Sequence, residues 1–106
     1  MNVNEIRKNI NDCEKAIEGF KKIDQLVKEL KEAKQKVIKF DKLSREAENL
    51  TLDSLYANQC ENHMELCGVL IEEITNIFDE TITTWYAHYN NIEEFLKDSF
   101  DVELWD

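Results

Sequence analysis

From Ile6 to Leu50 and again from Tyr56 to Leu96, apolar side chains recur at steps of three and four residues, and no proline interrupts the chain. A repeat near 3.6 residues lays one stripe along a helix, whereas a half-buried strand needs alternation at every second position. Glycine occurs only twice, so the turn residues that punctuate all-β architectures are missing as well. The sequence therefore specifies an all-α fold.

The first part of the stripe is Ile6, Ile10, Cys13, Ile17 and Phe20, and it resumes as Ile23, Val27, Leu30, Ala33, Val37, Phe40, Leu43, Ala47 and Leu50. The three-residue step from Phe20 to Ile23 shifts the heptad phase beside Gly19, where a glycine costs about 1 kcal/mol relative to alanine and marks a bend or a close helix crossing. Asn4 is the expected cap, with Glu5 in the first turn. A helix over residues 4–49 follows, or a shorter one ending near Lys39 if Asp41 or Ser44 starts a new segment. The expected turn is Asn49-Leu50-Thr51-Leu52-Asp53-Ser54, where side chains that compete for backbone hydrogen bonds cluster and Thr51 or Asp53 can restart the helix.

Beyond the turn the stripe continues through Tyr56, Cys60, Met64, Cys67, Ile71, Ile74, Phe78, Ile82, Trp85, Tyr89, Ile92 and Leu96. Two consecutive steps of four, Ile74 to Phe78 to Ile82, act as a stutter that unwinds the helix locally. Thr81, Thr83 and Thr84 lower helix propensity there, and Asn91 with Glu94 provides a capping-box start for a short last helix near residues 92–100. The expected architecture is a single α-helical domain over residues 1–106. It is a long antiparallel helical hairpin (4–49 and 53–90) with a short C-terminal helix, a two- or three-helix bundle. A bare hairpin buries one stripe per helix, so either the last segment folds back or two chains pair; the reading favours a homodimer.

Charge narrows function more than any motif does. The chain carries 23 acidic and 13 basic side chains, a formal net charge of −10. Residues 1–50 hold 12 of the basic groups and 10 acidic ones, whereas residues 51–106 hold 13 acidic groups and only Lys97. Such a chain repels nucleic acid, so no direct nucleic-acid binding is expected. No window approaches 18 uncharged apolar residues and the first residues form no apolar leader, so the reading expects no membrane contact and a cytoplasmic location. Three cysteines without a paired framework fit a reducing compartment.

The chemistry-bearing constellations are thin. Cys60, His63 and Cys67 are spaced as three soft ligands on one helix side, but two of them sit in the apolar stripe and are read as core residues. Glu29 and Glu32 form one Glu-x-x-Glu pair beside Lys28 and Lys31, read as solvated surface; the second helix offers Glu73 with Asn76 where a helical pyrophosphatase of the MazG type needs an acid. No nucleophile elbow or phosphate-cradling glycine loop occurs. The reading expects no enzyme and no cofactor.

The acidic, aromatic second half stands out instead. Tyr86, Phe100, Leu104 and Trp105 lie among Glu72, Glu73, Asp79, Glu80, Glu93, Glu94, Asp98, Asp101 and Glu103. Aromatic anchors ringed by acids are what a surface complementary to a basic protein groove uses; these residues are the expected partner-binding set. The alternative for Phe100 and Trp105 is that the tail closes the end of the bundle. In size, acidity and its Asn-, Lys-, Ile- and Glu-rich composition the chain resembles the small phage-encoded anti-defence and anti-CRISPR proteins. That likeness implies a non-catalytic inhibitor or adaptor occupying a nucleic-acid-binding surface of a partner protein. A second expectation is a helical-hairpin partner or chaperone of a secreted or toxin protein, although the Trp-x-Gly turn of those small helical partners is replaced here by Asn49-Leu50-Thr51-Leu52-Asp53.

Overall fold

The structure, a computed structural model, describes residues 1–83 and 92–103. The chain is all-α, as its periodicity dictates. Helix α1 runs Val3–Glu46, α2 runs Leu50–Ile77 and continues into a π-helical segment, Phe78–Ile82, and α3 runs Ile92–Phe100. No strand occurs among the described residues.

Local chemistry sets the helix ends, in places one turn away from the expected residue. Asn2, not Asn4, caps α1: its Oδ1 accepts from the Glu5 N–H at 2.9 Å. The long form of α1 is the one adopted, so Asp41 and Ser44 start no new helix. The turn is shorter and earlier than expected, confined to residues 47–49. Asn49 caps α2, its Oδ1 accepting from the Leu52 N–H at 3.0 Å. Thr51 and Asp53 therefore lie inside α2, and the Asp53 carboxylate accepts a hydrogen bond from the Ser44 hydroxyl across the turn. That bond ties the end of α1 to the first turn of α2. Leu50, assigned by spacing to the stripe, opens α2 and is exposed.

The chain divides into two compact units, Lys28–Glu72 and Met1–Val27 with Glu73–Asp106. The first, the hairpin unit, joins the second part of α1 to most of α2. Leu30, Ala33 and Leu70 are its buried apolar residues. The Phe40 ring lies between two residues seven apart on α2, stacked on His63 at 5.6 Å between centroids and tilted against Tyr56 at 6.1 Å. Two turns of α2 thus form the hole that receives one ring from α1. Met64, expected in the core, is exposed; His63 occupies the inward position one residue earlier. Cys60 turns its thiol toward the Val37 carbonyl at 3.5 Å.

The second, terminal unit holds most of the core: Ile23, Val27, Ile74, Phe78, Ile82, Phe95, Leu96 and Val102 are buried. An aromatic cluster joins three helices. Phe95 of α3 packs on Phe78 at 4.8 Å and edge-on to Phe20 at 6.2 Å, while Phe100 stacks on Phe20 at 5.0 Å. Such pairs contribute about 0.5–1.5 kcal/mol each beyond area burial. The last helix therefore does fold back onto its own chain.

The stutter has a concrete form. The Thr83 N–H reaches back five residues to the Phe78 carbonyl at 3.2 Å, the bond that defines a π turn. In an α-helix two consecutive steps of four drift off the buried face; the wider π turn brings Ile82 back, so Ile74, Phe78 and Ile82 are all buried. Thr81 and Thr83 satisfy carbonyls in this loosened turn, donating to Ile77 at 2.7 Å and to Asp79 at 2.9 Å. The expected kink at residues 81–91 and the Asn91 cap fall mostly or wholly outside the described residues.

Gly19 marks a close crossing. It is buried, and a Cβ placed on it would collide with the Thr81 side chain, lying 2.9 Å from the threonine Cβ. Thr81 is held by its bond to Ile77 and cannot swing away freely. Gly68, also within a helix, has nothing within 4 Å of such a Cβ. Gly68→Ala should therefore stabilise the protein by about 1 kcal/mol, through helix propensity and a less flexible unfolded chain. Gly19→Ala should destabilise it by about 1–2 kcal/mol, because overpacking outweighs the same propensity gain. Paired thermal melts check both, and equal shifts of one sign would reject the crossing.

Candidate protein-interaction surface

Helix α3 is short, so its two faces are easily separated. Phe95 and Leu96 are buried and Ile92 and Phe100 half-buried, while Glu93, Glu94, Lys97 and Asp98 are exposed. On a helix those exposed positions share the side opposite the packed one. Glu93 and Lys97 stand at an i,i+4 spacing that favours attraction, whereas Glu94 and Asp98 at the same spacing repel mildly.

The end of α3 adds to this face. Asp101 adopts a left-handed conformation with φ 53° and its N–H donates to the Lys97 carbonyl at 3.1 Å. This is an αL helix stop, usually built with glycine and tolerated by aspartate. The chain then turns inward: the Val102 N–H bonds the Leu96 carbonyl at 3.2 Å and its side chain is buried. Asp101 and Glu103 on either side are exposed.

Of the expected partner-binding residues, Glu73, Asp79, Glu80, Glu93, Glu94, Asp98, Asp101 and Glu103 are all exposed and belong to the terminal unit. Glu72 is exposed too but belongs to the hairpin unit. Phe100 is half-buried against Phe20 and Phe95, so its ring is engaged within the chain. Tyr86, Leu104 and Trp105 lie outside the described residues. By sequence position the terminal unit holds 14 acidic and six basic side chains, a formal −8, against nine and seven, or −2, in the hairpin unit. The charge imbalance of the chain is therefore concentrated at the unit that carries α3.

A small open cavity of about 200 Å³ in the hairpin unit is lined by Glu29, Glu32, Ala33, Lys36, His63 and Leu66. It is below the roughly 300–1,000 Å³ of typical small-molecule sites. The Glu29 and Glu32 pair lies here with both side chains exposed. His63 presents its ring to Phe40, and Cys60 points to a carbonyl, so the three soft residues of the Cys60-His63-Cys67 spacing do not converge. Among the described residues no three His, Cys, Asp or Glu side chains are placed to hold a metal ion. Burial pushes the Cys67 thiol above its usual range, against the opposing effects of the Lys34 ammonium and a backbone hydrogen bond. A thiol shifted in that direction is a poorer nucleophile at neutral pH.

The sequence reading missed the N-terminal part of α1. Ile6, Ile10, Cys13, Ile17 and Phe20 form the first part of the apolar stripe, yet all are exposed, with Ile10 52% and Ile17 50% accessible. The inward positions are instead Asp12, Ala16, Gly19 and Ile23. The phase shift between Phe20 and Ile23 is the signal that separates these two faces. No helix among the described residues is long and apolar enough to cross a membrane. Comparison with protein-family models, with curated proteins and with solved structures gave no match.

Proposed function

We propose that this chain is a non-catalytic protein-binding module whose acidic face, centred on α3 and the residues that follow it, occupies a basic surface of another protein. One observation carries the reading: every described acidic residue of α3 and its flanking turns is exposed, while Phe95, Leu96 and Val102 between them are buried and Phe100 is half-buried. The terminal unit thus presents a charged surface on a packed base. A basic surface evolved to hold phosphates is the complementary partner, and occupying it denies that surface to nucleic acid, the action of an inhibitor. Nothing in the reading requires a cofactor.

The test uses the tagged full chain and the variant Glu93→Lys/Glu94→Lys/Asp98→Lys against one cell lysate. The partner should be retained at about 50 mM salt and lost near 500 mM, as the Debye length falls from roughly 14 to 4 Å. The variant should lose it at low salt, with helicity and melting temperature close to those of the parent chain. Retention by the variant, or binding indifferent to salt, would reject the acidic face as the contact.

A further inference from the structure

Helix α1 carries two apolar faces within the terminal unit. The inward one contains Ala16, Gly19 and Ile23, and the other runs Val3, Ile6, Ile10, Cys13, Ile17 and Phe20, about a third of a turn around the helix. The second set follows steps of 3, 4, 3, 4 and 3, an a/d seam kept through three heptads. Val3 is 60%, Ile6 45%, Ile10 52% and Ile17 50% accessible, and Phe20, one face of which packs on Phe100 and Phe95, remains 39% accessible. None of residues 1–18 is buried. A helical stretch of this length draws little stability from propensity alone and needs its apolar face covered.

We infer that this seam is covered by the same seam of a second copy of the chain, packed antiparallel. Two features of the sequence select that occupant. Setting Val3 opposite Phe20 of the second copy also sets Ile6 opposite Ile17 and Ile10 opposite Cys13, so the largest side chain of the seam meets a small one and the thiol meets an isoleucine. A parallel pairing would instead stack Phe20 on Phe20 and leave Cys13 on Cys13, layers of very unequal volume. The same antiparallel register brings Arg7 at an e position beside Glu14 of the second copy, twice by symmetry, so opposite charges meet beside the seam.

Sedimentation equilibrium of the full chain from about 10 to 500 µM tests this, and a reversible dimer in the micromolar range is expected. Ile10→Glu should weaken dimerisation at least tenfold. Because Ile10 is exposed in the single chain, its dilute melting temperature should not change. Arg7→Glu and Glu14→Arg should each weaken the dimer several-fold, and the double exchange Arg7→Glu/Glu14→Arg should restore it to within about threefold. A chain still monomeric at 500 µM overturns the inference, as does a dimer unaffected by Ile10→Glu. Failure of the exchanged pair to restore association overturns the antiparallel register. None of these residues belongs to the acidic face, so self-association and partner capture fail independently.

Discussion

Ile74→Asp is expected to remove the cooperative thermal transition, or to lower its midpoint by more than 20 °C. Ile74 is fully buried in the terminal unit, in the α2 turn that leads into Phe78 and Ile82. An aspartate there loses the transfer free energy of the isoleucine, about 2–3 kcal/mol, and must also bury a carboxylate without a partner or take up a proton, for several more. Total stabilities are only about 5–15 kcal/mol, and each kcal/mol moves the midpoint of a domain this size by about 4–8 °C. Glu72→Lys, two residues away and exposed, reverses one charge on the same helix and should stay within about 0.5 kcal/mol of the parent. Circular dichroism melts of the two variants give the comparison. Similar melting of both would mean that the buried face of α2 is wrongly assigned.

Helix content followed from spacing alone, and so did the distortion near Phe78, because a doubled four in an apolar stripe must either drift off the core or loosen the helix. Spacing could not say which face of α1 is covered. At Ile6, Ile10 and Ile17 the pattern is as regular as at Ile23, Val27 and Leu30, yet only the second set is buried. Periodicity reports that a face is apolar, while burial depends on which other element reaches it. Gly19 was the better guide, since a buried glycine under Thr81 fixes where the helices cross. The turn was misplaced for a related reason. Asn49, Thr51 and Asp53 are all competent caps, and the choice is made by the Ser44 hydroxyl, which takes the Asp53 carboxylate and leaves Asn49 to the helix start. The acidic surface was legible as charge, because exposed acids need no partner to be recognised. The aromatic part was legible only as two alternatives: Phe100, the last residue of an acidic helix, reads as a free anchor or as a closure of the bundle, and the rings of Phe20 and Phe95 show that it is held within the chain.

That position of Phe100 decides what removal of residues 99–106 should do. The deletion takes away a half-buried phenylalanine stacked on Phe20, the αL stop at Asp101 and the buried Val102. Partial burial of the ring and full burial of the valine contribute on the order of 3 kcal/mol together, and the lost helix stop adds some tenths. The melting midpoint should accordingly fall by about 10–20 °C. A docking tail detached from the core would leave it almost unchanged. A second truncation removing only residues 104–106 keeps Phe100, Asp101 and Val102, and so separates their contribution from that of Leu104 and Trp105. If it melts close to the parent while the longer deletion melts far below, the return of the chain at Val102 closes the terminal unit. Partner capture by the shorter truncation then reads out whether Leu104 and Trp105 add to the acidic face. A longer deletion that melts within about 2 °C of the parent would contradict the packing of Phe100 and Val102, and with it the division of α3 into a packed face and an acidic one.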